Sequence, residues 1–277
     1  LGTIASGIVE VFVNREKLFS HLPKNPLIGV LLGALMGLIF PVCECGVVPL
    51  TRRLYQKGLP PAIGIAFLMA APVLNPIVIL STYTAFGFGP VFWGRIGVSL
   101  IVAVITGWVF SKQPESEILV EQCEIPVCSI HSHSNGEKLT LKEKFVQLAR
   151  IATEELFEMG KYLIIGSLLA ALMQTIIPQN TLLALGTGPL FSILLMILLA
   201  FLLSICSTVD AFVALSFAAN FSTGSILAFL VYGPMVDIKS IFMFISVFKK
   251  KTVLYLTLIP LFLVILITLF MNYRLSI

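Results

Sequence analysis

Pro41-Val42-Cys43-Glu44-Cys45-Gly46, followed by Ala71-Pro72-Val73-Leu74-Asn75-Pro76, breaks an otherwise apolar first half of the chain. Ile205-Cys206-Ser207-Thr208-Val209-Asp210, followed by Gly233-Pro234-Met235-Val236-Asp237, breaks the second half in the same order. Each half carries a small polar or thiol-bearing cluster and then a Pro-x-x-Asn or Pro-x-x-Asp helix break. In a membrane, polar backbone is left unwound only where protein or water covers it, so two such sites in corresponding positions mark a transport pathway.

The sequence around these breaks settles the solvent. Hydrophobic residues make up 58% of the 277 positions, charged residues only 12%, and mean hydropathy is +1.02. That is too apolar for a soluble domain of this length. An all-α polytopic membrane protein is expected, with apolar stretches at Leu27 to Phe40, Ala62 to Phe86, Val91 to Phe110, Leu156 to Ile177, Phe191 to Ile205, Ile226 to Phe248 and Thr252 to Met271. Several reach the roughly 20 residues that cross a hydrocarbon layer, whereas the two leading into the cysteine clusters are shorter. Leu1 to Val13 is also too short and lacks the features of a signal peptide. It reads as the end of a helix that begins about ten residues before Leu1, judged from the second copy.

An internal duplication aligns the breaks. Leu1 to Ala5 matches Ile165 to Leu169, Asn14 to Leu18 matches Pro178 to Leu182, and Cys43 to Gly46 matches the segment around Cys206 to Val209. Pro72 then falls on Pro234, Asn75 on Asp237, and the helix from Val91 on the helix from Thr252. The expected organisation is a first transmembrane repeat over 1–110, a polar linker over 111–153 and a second repeat over 154–277.

Charge placement selects the relative orientation of the copies. If Leu27 to Phe40 and Val47 to Gln56 form a re-entrant hairpin, each repeat crosses three times and the copies are inverted. Arg15, Lys17, Lys24, Arg52, Arg53, Lys57, Lys112, the basic residues of the linker and Lys249 to Lys251 then share one face, with Arg274 opposite. Four crossings per repeat would scatter these charges over both faces, against the positive-inside tendency. The expectation is two inverted repeats, each with three crossings, a re-entrant hairpin and a broken helix. The charged face and central linker would be cytoplasmic, in a bacterial inner membrane, and Ser207 to Thr223 would be an extracytoplasmic connection.

The linker carries Cys123-Glu124-Ile125-Pro126-Val127-Cys128-Ser129-Ile130-His131-Ser132-His133. Cys123, Cys128, His131 and His133 make a Cys2His2 set suited to Zn²⁺ or a softer metal, although the spacing is not that of a zinc finger. A solvated linker with incidental Cys and His is the other reading, and both stay open at this point. Cytoplasmic thiols stay reduced, so no disulfide is expected. Leu139 to Arg150 reads as an amphipathic interfacial helix.

Within the membrane, Pro41, Gly46 and Pro49 should hold Cys43 and Cys45 on irregular backbone, where thiols are good soft ligands, with Cys206 at the symmetric position. Acids in hydrocarbon mark ion or proton pathways by default, which singles out Glu44, Asp210 and Asp237. Lys239 is the nearest basic residue to Asp237, but residues two apart on a helix do not face each other. Asp237, like Asn75 before Pro76, can also cap the second half-helix, and capping is compatible with substrate contact at its positive end.

The strings PVCECGVVPLTRRLYQKGLP, FLMAAPVLNPIVILSTYTAFG, CSTVDAFVALSF and LAFLVYGPMVDIKS resemble the predicted permease family that includes the organoarsenical efflux permeases. The likeness covers nearly the whole chain. It implies an integral membrane permease that exports a metal, metalloid or organic derivative and requires no cofactor. In the efflux members Ser stands in the place of Glu44, so Cys43-Glu44-Cys45-Gly46 departs from their motif.

These readings converge on a secondary-active exporter rather than an enzyme. Cys43, Glu44, Cys45, Asn75, Cys206, Thr208, Asp210 and Asp237 are the candidate substrate-contacting residues, with Asp210 or Asp237 coupling transport to protonation. No G-x-x-x-x-G-K-[ST] pattern occurs, so ATP hydrolysis through a P-loop in this chain is excluded. The alternatives are a channel, which needs a continuous hydrated pore, or a thiol-redox protein using Cys43 and Cys45. Basic residues on one face are accounted for by topology and anionic lipid and do not point to nucleic acid. The partners expected are the bilayer, a small-molecule or ion substrate, and either a second copy or an accessory subunit.

Overall fold

The computed structural model describes residues 25–40, 42–56, 58–113, 115–119, 188–218 and 220–274, with scattered positions between 153 and 172. The linker cysteines and histidines, Leu1 to Val13 and the interfacial helix expected at Leu139 to Arg150 lie outside these residues. The described architecture is all-helical. Its elements are α1 Pro26–Ile39, α2 Glu44–Gln56, α3 Pro61–Leu74, α4 Pro76–Phe86, α5 Pro90–Phe110, α6 Glu115–Ile118, α7 Pro189–Leu203, α8 Asp210–Phe217, α9 Thr223–Met235, α10 Ile238–Val247 and α11 Lys250–Arg274.

Proline and asparagine set several of these boundaries. Pro26, Pro61, Pro76, Pro90 and Pro189 each sit in a first turn, where a missing N–H costs nothing because no intrahelical acceptor exists for it. Taken through their breaks, Pro61–Phe86 and Thr223–Val247 are long and apolar enough to cross a membrane, as are Pro90–Phe110 and Lys250–Arg274. Pro26–Ile39 and Pro189–Leu203 are apolar but shorter. The chain is therefore a polytopic membrane protein.

Helix α3 is the centre of the first half, with all 14 of its residues buried. Helix α1 lies against it through a glycine stripe. A Cβ on Gly29 would come within 2.9 Å of the Ile63 side chain, one on Gly33 within 2.5 Å of the Ile63 carbonyl oxygen, and one on Gly37 within 2.8 Å of the Ala71 backbone. These matches advance in the same direction along both helices, so α1 and α3 run parallel. Small residues are the means of close approach in a membrane, where apolar burial between helices provides no drive. Gly107 of α5 closes on α3 in the same way, 2.8 Å from the Ala62 carbonyl oxygen. In the second half α7 runs parallel to α9. The Ser192 and Ser225 hydroxyls lie 2.8 Å apart, and a Cβ on Gly233 would lie 3.1 Å from the Ala200 Cβ.

The ends of the helices sort onto two opposite ends of the bundle. At one end the Tyr55 hydroxyl donates to the Pro61 carbonyl at 3.2 Å and its ring meets Phe248 edge-on at 6.0 Å. At the same end the Lys249 N–H donates to the Ile118 carbonyl at 3.1 Å. The start of α1 and the end of α2 both belong here, beside the start of α3, so the two arms enter and leave at one end. At the other end the Gly224 N–H donates to Asn272 Oδ1 at 2.9 Å, and Phe217 of α8 meets Phe221 and Phe229. Helices α7 and α8 start and finish here, beside the start of α9. Helix α2 packs on α10 and α8 packs on α4, so each second arm meets the second half-helix of the opposite half.

Two sequence expectations need correction. Cys45 is not on irregular backbone: Cys43 is, but α2 starts at Glu44 and carries Pro49 inside it. A proline at that position removes only the bond to the Cys45 carbonyl, and the first turn is closed by the Gly46 and Val47 N–H groups on the Cys43 carbonyl. Nor is Ser207 to Thr223 merely a connection, because Asp210–Phe217 forms a helix with Asp210 buried at its start.

Candidate functional site

The site grows from the two helix breaks. Asn75 cannot continue α3 because Pro76 disfavours helical backbone in the residue before it, and it sits at φ −56°, ψ 133°. Its Oδ1 accepts from the Ile77 N–H at 3.0 Å, capping α4. Its Nδ2 donates to the Val42 carbonyl at 3.3 Å, which ties the break to the tip of the α1–α2 hairpin. Asp237 is extended, with φ −130° and ψ 177°, and its Oδ1 accepts from the Ser240 N–H at 2.6 Å, capping α10. The same position in each half therefore satisfies an orphaned helix N-terminus with a side-chain oxygen.

Lys239 joins the α9–α10 break to the start of α2. Its Nζ lies 3.5 Å from Asp237 Oδ2 and 3.5 Å from Glu44 Oε1, with the lysine side chain 12% exposed and the two acids 3% and 5%. The helical rule that residues two apart point away from each other does not hold here, because Asp237 is the capping residue and its side chain folds over the first turn. The Ser207 backbone N–H and, farther off, Asp210 also face the Glu44 carboxylate, which brings the turn between α7 and α8 to the start of α2. Glu44 Oε2 and Ser207 Oγ are buried without a hydrogen-bond partner.

Asp210 is held elsewhere in the junction. Arg95 Nη1 donates to Asp210 Oδ1 at 3.0 Å and Nη2 to Oδ2 at 2.6 Å, both side chains being almost fully buried. Nη1 also donates to Thr82 Oγ1 at 2.9 Å. This two-pronged pair fastens α8 to α4 and α5. Sequence reasoning misses Arg95 and sets Lys239 aside by helical spacing. A single cation inside an apolar helix is expected to have a buried acid as its partner, and that signal is available for both.

The thiols are placed less centrally. Cys43 and Cys45 are half-buried beside Glu44, and Cys206 is exposed, 3.4 Å from Thr208 Oγ1. Among the described residues no group of three or more His, Cys, Asp or Glu side chains converges to hold a metal ion. The structure thus gathers Glu44, Asp237 and Lys239 directly, with Asn75 and Ser207 around them. Asp210 is paired off with Arg95, and the three cysteines form no ligand set.

Buried charged groups from two halves, meeting at paired helix breaks, are what a solute pathway requires. The ArsP_1 family profile, described as predicted permease, matches residues 1–273. The chain belongs to this family. It is 47% identical over 255 residues to the UPF0718 protein YcgR of Bacillus subtilis, covering 91% of this chain and 84% of that one. It is 41% identical over 255 residues to a Streptococcus mutans protein named "Putative two-component membrane permease complex subunit", covering 92% and 83%. UPF0718 protein YraQ of Escherichia coli is 29% identical over 125 residues, 44% of this chain and 36% of its own. No solved structure matches. Family membership and the apolar helices together make the chain an integral membrane permease.

Proposed function

We propose that this permease is a secondary-active exporter of a soft metal, metalloid or thiol-reactive small solute, residing in the inner membrane with its central linker cytoplasmic. In this reading the two halves are inverted repeats, α1–α2 and α7–α8 are re-entrant hairpins entering from opposite sides, and rocking of one half against the other exposes the junction alternately. The observation that carries it is the Glu44–Lys239–Asp237 cluster. It is buried, it is formed by both halves, and it lies at the break of the membrane-spanning Thr223–Val247, against the start of α2. Opposed hairpins whose second arms contact the other half support the inverted arrangement. Cys43 and Cys206 on the turns and Cys45 in the first turn of α2 support a soft substrate, and an accessory subunit is supported by the name of the streptococcal relative.

The test is uptake of arsenite, methylarsenite and Zn²⁺ into everted membrane vesicles carrying the full chain and energised by a proton gradient. Saturable uptake of at least one probe is expected, falling to the level of vesicles without the protein in Lys239→Ala and in the Cys43→Ala/Cys45→Ala double variant. Absence of saturable uptake for all three probes overturns the soft-substrate export reading. Uptake that rises linearly with concentration and ignores the gradient identifies a channel instead.

A further inference from the structure

Counting charge in the junction exposes an imbalance. Glu44 and Asp237 both lie against Lys239, and among the described residues no second cation faces either acid. Asp210, on α8, adds nothing to this count because both of its oxygens are taken by Arg95. Asn75 on the adjoining break is neutral, and Cys43 and Cys45 on Glu44's own hairpin turn supply no positive charge. With both acids ionised the described residues of the junction would hold one surplus negative charge on carboxylates at most 5% exposed, a condition that costs several kcal/mol in a membrane interior. Among these residues one further positive charge is required for balance.

Geometry shows where that charge belongs. Both Asp237 oxygens have partners, Oδ1 the Ser240 N–H and Oδ2 Lys239. Glu44 has Oε1 on Lys239 and the Ser207 backbone N–H facing its carboxylate, but Oε2 is buried with no hydrogen-bond partner, and the buried Ser207 Oγ is likewise unpartnered. A buried oxygen without a hydrogen-bond partner is the poorer place for negative charge and the natural place for a hydrogen. We infer that Glu44 is the proton-carrying residue of this permease, holding on Oε2 the one proton that neutralises the Glu44–Asp237–Lys239 cluster and releasing it to water when the junction opens. The balance is simple: one O–H bond breaks, the proton leaves as hydronium, and the cluster gains one negative charge, available to a positively charged group on the substrate. The inference rests on the junction being the transport site, but its test reads protonation without any flux.

Infrared difference spectroscopy on the full chain in liposomes at pH 7, with exchange into heavy water to mark acid O–H groups, counts protonated buried carboxyls. Wild type is expected to show one. Glu44→Gln and Asp237→Asn, which keep shape and capping, each leave one acid balanced by Lys239 and should show none. Lys239→Met leaves two uncompensated acids and should show two. A wild type without a protonated carboxyl overturns the assignment, as does a wild-type band that shifts on ¹³C-labelling of aspartate rather than of glutamate, which would put the proton on Asp237. If no probe is transported but the counts run one, none, none and two and the wild-type band shifts with labelled glutamate, the proton site stands and the export reading fails.

Discussion

Two buried ionic contacts bind this molecule's halves together, and they differ in charge balance. At Arg95 and Asp210 every carboxylate oxygen has its own guanidinium nitrogen, and Thr82 takes a further contact. At Glu44, Lys239 and Asp237 one ammonium serves two carboxylates at 3.5 Å, and Glu44 Oε2 has nothing. A paired, two-pronged contact in low dielectric resists rearrangement, whereas an unbalanced one can take up or lose a charge at little structural cost. The contrast suits the first contact to holding α8 in place and, under the proposed function, the second to carrying a proton.

The largest effect should come from breaking the charge-balanced contact. Arg95→Met leaves Asp210 buried without a cation and is expected to destabilise the protein by about 3–5 kcal/mol. Its thermal unfolding in detergent should fall far more than that of Lys239→Met. The double variant Arg95→Met/Asp210→Leu should recover most of that loss, since a buried pair replaced by apolar groups is often near neutral. A double variant as unstable as the single one would show that Arg95 holds more than Asp210.

Next comes the α1–α3 seam that positions the hairpin carrying Glu44. Gly33→Val would drive a side chain into the Ile63 carbonyl, and overpacking of this kind costs about 1–3 kcal/mol. Gly97→Val, where a Cβ would meet nothing within 4 Å, is the matched control and should unfold as wild type does. Equal melting temperatures for the two variants would refute the seam.

The caps give a smaller difference. Asp237→Ala removes the acceptor for the Ser240 N–H and one partner of Lys239, and should cost about 1–2 kcal/mol, whereas Asp237→Asn keeps the cap and should lose less. Asn75→Ala should cost about 1 kcal/mol through the Ile77 N–H and also loosen the hairpin tip at Val42. Faster labelling of Cys43 by a membrane-permeant maleimide in that variant would report the loosening, and unchanged labelling would show that the tip is held otherwise. The smallest effect is expected for Ser192→Ala, which removes one interhelical hydroxyl contact worth about 0.6 kcal/mol.

Much of the scaffold was legible because its punctuation is local. Pro76 after Asn75 forces a break whatever surrounds it, and Pro90 and Pro189 open helices for the same covalent reason. The paired breaks and the short helices leading to the cysteine clusters could be read directly. The thiols at Cys43, Cys45 and Cys206 drew attention because their spacing is conspicuous, yet the structure places them at the rim of the junction. The pairing of Asp210 with Arg95 was not legible, since the two are 115 positions apart and belong to different halves. Lys239 was discounted by a rule for regular helices that fails at a capping residue.

By itself the sequence determined that the chain is a helical membrane protein interrupted at Asn75 and Asp237, because apolar length, proline and capping residues act within a few positions of one another. Only the tertiary structure decided which charges meet. A buried ion pair depends on how two hairpins and two broken helices pack, and that packing placed Arg95 on Asp210 while leaving Glu44 and Asp237 to share Lys239.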